Sequence, residues 1–198
     1  MRVVVICEGK TEVTLRPAWT KLVQRRRLTK ATAAIKTRAM RGPVCQPKLV
    51  RVVGELGAKS DVAGIIVLTD VYPASSAQEV MGKINRLVAE AAPKAPCRTH
   101  VAQFDVEAWA MPFWDEIAAS LGFEASRPRA KPEDINHKNP PSKRLRALYR
   151  RAGYAYDKVR DGRKWLTADR LERAAKDCPQ LKDFLNSLLE FAGAEKLK

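Results

Sequence analysis

The chain has 198 residues, of which 37 are Lys or Arg and 22 are Asp or Glu, so its formal net charge is +15. This length suffices for one domain with a sizeable core. No apolar run approaches the ~20 residues of a membrane-spanning helix, and the N-terminus lacks a signal-peptide pattern, so we expect a cytoplasmic protein without membrane contact. The four widely spaced cysteines form no CxxC pair, which favours reduced thiols over disulfides or a zinc site.

The positive charge is unevenly distributed along the chain. Residues 1–60 carry 14 Lys/Arg and 3 Asp/Glu, residues 61–126 carry 4 and 9, and residues 127–198 carry 19 and 10. Two basic regions therefore flank an acidic middle. Local clusters of positive charge favour binding to nucleic acid, because they release counterions from the phosphates. A general contribution to solubility is the alternative.

Short apolar runs rich in β-branched residues each lead into acidic residues. The runs and the acids that follow them are 3–7 with Glu8, 65–69 with Asp70, and 99–104 with Asp105 and Glu107. Such runs predict buried strands of a parallel sheet. Open α/β sheets bind ligands beyond the carboxyl ends of their strands, and carboxylates collected there suit Mg²⁺ or Mn²⁺.

The segments between these runs have helical spacing of apolar residues. In chain order we predict a helix over 11–28 capped by Thr11, a strand near 32–37, and helices over 47–56, 76–92 and around 109–117. The alternation of strand and helix predicts an α/β fold with a doubly wound, mostly parallel sheet flanked by helices.

The composition changes after residue 126. Four prolines interrupt residues 127–141, and helical patterns follow over 142–151, 166–177 and 179–191. We therefore divide the chain into an α/β core, residues 1–126, and a basic loop with a helical C-terminal extension packed on the core, residues 127–198. Ser142 is the expected N-cap of the first of these helices.

Two acidic pairs allow more than one interpretation. Gly9 lets the backbone turn tightly after the first strand, so that Glu8 stands over the strand end, whereas Glu12 is better explained as a charge at the start of a helix. Asp105 and Glu107 point the same way if the strand continues through them. Alternatively, Asp105 caps the following helix and Glu107 is a charge in its first turn.

The segment from Lys143 to Lys164 holds nine Lys/Arg against two acids, interleaved with aromatic residues. Such cations neutralise phosphates and aromatic rings stack on bases, although a solvated helical face is the alternative. His137, in the proline-rich loop, is a secondary candidate for a proton donor, although a loop histidine is more often simply exposed.

The chain resembles Toprim-like proteins, a group related to OLD-type nucleases, and more closely the Toprim-like family of unknown function numbered 4276. The opening motif is Glu8-Gly9-Lys10-Thr11-Glu12. The other matching motifs are Asp70, 104–109 (Phe-Asp-Val-Glu-Ala-Trp), 132–136, 141–145, 156–158 and Cys178-Pro179. The resemblance spans nearly the whole chain and rests on the order of these motifs.

The resemblance implies a Mg²⁺- or Mn²⁺-dependent endonuclease acting on DNA or RNA. Glu8, Asp70 and Glu107 would be the catalytic residues, with Glu8 as the general acid/base. The metal ligands would be drawn from Glu8, Asp70, Asp105 and Glu107, with Asp70 and Glu107 as the main ones. Lys143, Arg144 and Lys158 would hold the nucleic-acid backbone. The resemblance also implies a separate ATPase protein as partner, in bacterial or phage defence.

One position departs from the Toprim pattern. Toprim enzymes carry Asp-x-Asp after the third strand, whereas this chain has Asp70-Val71-Tyr72. A phenol is a poorer ligand for a hard cation than a carboxylate. A non-catalytic nucleic-acid-binding or ATPase-partner module with a degenerate metal site is therefore the rival hypothesis. A hydrolase of small nucleotide esters is a third.

Overall fold

The structure, a computed structural model, describes residues 1–29, 32–44, 46–71, 76–103, 105–134 and 139–198. Within these residues the strands are β1 (Arg2–Cys7), β2 (Ala34–Ala39), β3 (Val62–Asp70) and β4 (Cys97–Ala102). They form one all-parallel sheet in the order β2-β1-β3-β4. The predicted α/β class is thereby confirmed, and the architecture is Rossmann-like. Tyr72, Phe104 and His137 lie outside the described residues.

Helices flank both faces of the sheet. Among the described residues they are α1 (Lys10–Arg25), α2 (Lys48–Gly57), α3 (Ala77–Ala91), α4 (Trp114–Ser120), α5 (Pro141–Arg151), α6 (Lys158–Trp165), α7 (Ala168–Ala174) and α8 (Pro179–Phe191). α2 and α3 share one core cluster with the sheet, and the remaining helices contribute to the other. No helix of the described residues is long and apolar enough to cross a membrane.

The sheet is buried on both faces because its central strands are apolar without interruption. In β1 the side chains of Val3 and Val5 belong to the core under α1 and α8, and those of Val4 and Ile6 to the core under α2 and α3. Each such side chain contributes roughly 1.5–3 kcal/mol when fully buried. The continuous hydrophobic run is thus the sequence counterpart of a strand covered on both sides.

The C-terminal residues complete the core on the α1 face. Phe184 of α8 is fully buried, and its ring centroid lies 5.2 Å from that of Trp19 and 5.8 Å from that of Trp109. α8 also packs closely on β3, where a Cβ atom on Gly64 would come within 2.4 Å of the Phe191 ring. α8 therefore packs directly on β3, the strand that carries Asp70, and on β4, which leads to Asp105.

Several predicted element boundaries were wrong, for local reasons. The segment around Trp109 is a 3-10 helix over Val106–Phe113 followed by α4, because Pro112 cannot continue an α-helix through its own position. α1 starts at Lys10 and has Gly9, not Thr11, at its N-cap. β2 lies two residues later than predicted, and the helix predicted over 166–177 is confined to Ala168–Ala174.

Two differences near the basic C-terminal region bear on the site. α5 begins at Pro141 with Pro140 as N-cap, so Ser142 lies inside the first turn rather than capping it. The sequence analysis missed α6, whose pattern is weakly apolar. This helix is started locally by Asp157, whose carboxylate accepts a hydrogen bond from the backbone N–H of Arg160, while Asp161 reaches back to the N–H of Asp157.

Candidate functional site

The strand order places the candidate site at a change in the direction of winding. α1 leads from β1 outward to β2 on one face, and α3 leads from β3 outward to β4 on the other. In doubly wound sheets the crevice between two such strands, at their carboxyl ends, is the usual ligand site. Glu8 follows β1 and Asp70 ends β3. The hydroxyl of Thr69 donates a hydrogen bond to Oε1 of Glu8 across this crevice.

Asp70 lies at the centre of a group of carboxylates. Burial raises its pKa well above the ordinary value, and the negative charges of Glu12, Glu107, Asp105 and Glu8 raise it further, in that order. Its Oδ1 atom is buried without a hydrogen-bond donor among the described residues. An ionised carboxylate in such surroundings is costly unless a proton or a cation compensates it.

Asp105 and Glu107 reach this group from the segment after β4. They are 3% and 1% exposed, respectively. Asp105 occupies the N-cap position of the 3-10 helix after β4 and Glu107 lies in its first turn, as the second of the two interpretations predicted. The Asp105 carboxylate makes no capping hydrogen bond to that helix; its Oδ2 atom instead accepts a hydrogen bond of 3.2 Å from the backbone N–H of Ser142 at the start of α5. Burial and then the charge of Asp105 raise the pKa of Glu107 to about 7.

Lys158 supplies a positive charge inside this acidic group. Its Nζ atom lies 3.2 Å from Oε1 and 3.4 Å from Oε2 of Glu107. Burial lowers the pKa of Lys158, but Glu107, Asp105 and Asp70 together outweigh burial and hold it above the ordinary value. The side chain is 35% exposed. The structure thus places Lys158 among the carboxylates, whereas the sequence pattern had grouped it with the outer basic residues.

Glu12 is a site residue that the sequence analysis assigned to a helix end. It does lie in the first turn of α1, yet it is only 4% exposed. Burial raises its pKa, the charge of Glu8 adds to this, and Lys158 acts in the opposite direction. The available signal was its position four residues after Glu8, which places both acids at the same strand-to-helix turn.

Cys7 and Tyr156 border the carboxylates and remain protonated. Burial raises the pKa of the Cys7 thiol to about 12, with further contributions from Glu12, Glu8 and Asp70. Burial, then Glu107 and Asp105, raise the pKa of Tyr156 far above its ordinary value. Neither group is therefore a ready nucleophile at neutral pH. Cys7 is fully buried, as expected of a small apolar side chain in a strand.

The donor chemistry of this group fits a hard divalent cation. Among the described residues, Asp70 Oδ1 and Asp105 Oδ1 are buried oxygens without a hydrogen-bond donor, and Glu107 Oε1 contacts only the Lys158 ammonium. Oxygen ligands of this kind suit Mg²⁺ or Mn²⁺. In the positions that the structure gives them, no three Asp, Glu, His or Cys side chains of the described residues are grouped to hold a metal ion.

The outer basic residues differ in their exposure to solvent. Lys143 is exposed, while Arg144 is half-buried and its Nε atom donates to the carbonyl of Asn139 at 3.0 Å. Arg25 pairs with Asp169, and Arg26 pairs with Glu172. The arginines at the end of α1 are thus largely engaged in fixing α7 against α1.

The comparison with protein families identifies one that covers these residues. The family described as domain of unknown function DUF4276 matches residues 7–189. The chain belongs to this family. The matched DUF4276 region contains all of the carboxylates above as well as Lys158 and most of α8. No curated protein and no solved structure matches the chain.

Proposed function

We propose that the chain is a metal-dependent enzyme that acts on the phosphodiester bonds of DNA or RNA, with Asp70, Asp105 and Glu107 binding Mg²⁺ or Mn²⁺. The observation that carries this proposal is the crowding of buried carboxylates at the β1/β3 crevice, where Asp70 Oδ1 and Asp105 Oδ1 lack a hydrogen-bond donor among the described residues. Crowded, buried carboxylates lower the stability of the fold unless their charges are compensated, and such groups are typical of sites that bind a cation.

The individual carboxylates suit different steps. Glu8 is half-buried, accepts a hydrogen bond from the Thr69 hydroxyl and has a pKa raised by burial, which makes it a candidate for proton transfer. Glu107, with a pKa of about 7, gains or loses its proton near neutral pH. When bound, a divalent cation would polarise the phosphate and stabilise the leaving oxygen.

The resemblance to Toprim-like proteins supports the same reaction class. Glu8-Gly9 after the first strand and Asp70 at the end of the third match that pattern, and the fold is of the same broad class. Tyr72 replaces the second aspartate of the Toprim motif. The buried Glu12, whose charge acts on Asp70, offers a substitute carboxylate from the opposite side of the crevice.

A specific contact favours a second candidate function. The Lys158 ammonium, 3.2 Å from Glu107, already supplies a positive charge to the carboxylates. An internal cation of this kind suits a non-catalytic nucleic-acid-binding or ATPase-partner module in a defence system. In that case the acidic group is a structural remnant and Lys158 keeps it folded.

Metal titration beside a cleavage assay separates these candidates. Mn²⁺ binding is measured by calorimetry for the wild type, for Asp70→Asn, and for Glu90→Gln, which alters an exposed acid on α3. Plasmid DNA and RNA are followed for cleavage in parallel. The enzyme hypothesis expects binding and cleavage in the wild type and Glu90→Gln, and loss of both in Asp70→Asn. Equal behaviour of all three proteins, without metal binding, supports the module.

A further inference from the structure

A cleft at the carboxyl end of β2 borders the acidic site. It has a volume of about 430 Å³ and is lined by Thr37, Arg38, Ala39, Met40, Arg41 and Lys48. β2 is an edge strand of the described sheet, so this cleft opens to solvent beside the outermost strand. Because β1 and β2 run parallel, the cleft lies at the same end of the sheet as Glu8, the end where the strands have their carboxyl termini.

The backbone ties this cleft directly to the turn that carries Glu8. The N–H of Met40 donates to the carbonyl of Cys7 at 2.8 Å, and the N–H of Gly42 donates to the carbonyl of Glu8 at 3.4 Å. The cleft is therefore one strand spacing from Glu8 and two from Asp70, roughly 10 Å in the second case.

The cations of the cleft are available to a ligand. Within the described part of the chain, the side chains of Arg38, Arg41 and Lys48 take part in no ion pair and no hydrogen bond. This contrasts with Arg25 and Arg26 of the same basic region, which pair with acids of α7. Excess positive charge without internal partners is what a polyanion neutralises with release of its counterions.

The backbone at Arg41 is also strained. Its φ of 58° lies in the left-handed region, which an L side chain adopts only at a cost. The usual solution at such a position is glycine, and here Gly42 follows immediately.

We propose that Arg38, Arg41 and Lys48 form a binding site for the phosphodiester backbone of the nucleic-acid strand that enters the acidic crevice. This rests on the proposed function for its substrate class, and it assigns the binding surface to the β2 edge. The positive cleft offsets the repulsion between the carboxylates and the strand, and it aligns one phosphate with Glu8 and Asp70 while neighbouring phosphates contact the basic residues.

The test measures binding without metal or cleavage. Fluorescence anisotropy follows labelled single strands of about 12 nucleotides, as DNA and as RNA of the same sequence, with EDTA and from about 50 to about 200 mM salt. The triple variant Arg38→Gln/Arg41→Gln/Lys48→Gln is compared with the wild type. The control is Lys59→Gln/Arg86→Gln/Lys94→Gln, which removes the same charge from exposed residues away from the cleft. Lys59 and Lys94 precede β3 and β4 and so lie at the amino ends of the strands, whereas the cleft lies at the carboxyl ends.

We expect the triple variant to lose about two units of the logarithmic salt slope, because each phosphate contact on a single strand contributes about 0.7. Affinity at the lowest salt falls at least tenfold, and the control keeps the wild-type slope. Arg41→Gly, which suits the left-handed backbone, is a second variant that folds readily and loses about 0.7 of the slope. DNA and RNA are compared to show which backbone the cleft prefers.

The double variant Lys143→Gln/Arg144→Gln is measured in the same way. Three outcomes overturn the inference: a wild type without salt-dependent binding, a triple variant that behaves like the control, or a loss of salt slope and affinity confined to the double variant. The last of these would place the binding face on α5. The proposed metal chemistry fails separately. If the salt slope of the triple variant falls as expected but the metal titration shows no binding, the result supports the phosphate-binding cleft and favours the non-catalytic module over the enzyme.

Discussion

The Nζ atom of Lys158 lies 3.2 Å from Oε1 of Glu107, although the two residues are 51 positions apart in the chain. This contact joins α6 to the 3-10 helix after β4. It brings one positive charge into a site with at least four interacting acids besides Glu107. Because the pair is partly buried, the stability of the fold depends on it.

Removal of the Lys158 ammonium should make the fold depend on an added cation. We expect Lys158→Met to lose about 1–3 kcal/mol of stability without metal, discounted from the value for fully buried pairs because the lysine is partly exposed. Mn²⁺ should then raise the melting temperature of this variant more than that of the wild type. Arg163→Met, an exposed residue of the same helix, is the control. An equal Mn²⁺ response in all three proteins contradicts the prediction.

The pKa of Glu107 predicts a fall in stability towards neutral pH. It is raised by burial and by Asp105 from its ordinary value to about 7, so the folded state holds this proton more tightly than the unfolded state. The stabilisation is complete below about pH 4.5 and is lost as the pH rises through about 7. Denaturant midpoints measured in EDTA from about pH 5 to about pH 8 should therefore fall less steeply for Glu107→Gln than for the wild type.

Burial of His100 makes the stability rise with pH, which is opposite to the effect of Glu107, so the same experiment contains both contributions. Burial lowers the pKa of His100 to about 4, so its contribution to stability rises with pH until about 6.5. His100 is present in both proteins, and its contribution cancels in the difference between wild type and Glu107→Gln. A difference that does not change with pH would remove Glu107 as the titrating group.

Glu8 can be tested without loss of the fold. We expect Glu8→Gln to lower cleavage by about 10²–10⁴-fold, because the amide cannot transfer the proton. Its melting temperature should equal or exceed that of the wild type, since burial already disfavours the Glu8 charge. Glu90→Gln serves as the matched control. Full cleavage by Glu8→Gln, still dependent on metal, would leave Asp105 and Glu107 as the residues to test.

The packing of α8 on the sheet predicts opposite effects of two glycine substitutions. A Cβ atom on Gly64 would lie 2.4 Å from the Phe191 ring, so Gly64→Ala should destabilise the fold by about 1–3 kcal/mol. A Cβ atom on Gly82, in α3, would have no described atom beyond its own helix backbone within 4 Å. Gly82→Ala should stabilise by about 0.5–1 kcal/mol through its higher helix propensity. Urea denaturation of both variants checks the pair, and equal effects would contradict the packing of α8 on β3.

The sequence alone determined the strands, most of the helices and the place of the acids that follow the strands. Uninterrupted apolar runs such as Val3–Cys7 are a local property, and they indicate a buried parallel strand whatever follows them. Because Glu8 and Asp70 come directly after such runs, their place at the carboxyl edge of the sheet was also predictable. The cap of α3 at Ser76 is likewise local, since its side chain bonds the N–H of Glu79 three residues later.

Only the tertiary structure decided which distant groups meet. The strand order makes β1 and β3 neighbours and so pairs Thr69 with Glu8. Asp105 caps α5 across 37 residues, and Lys158 reaches Glu107 across 51. The physical reason is that helical and strand periodicity show which face of an element is apolar, but they carry no information on which other element that face packs against. The partners of a buried charge are set by that packing, so Lys158 looked like one more surface cation in the sequence and is the internal counter-charge of the site in the fold.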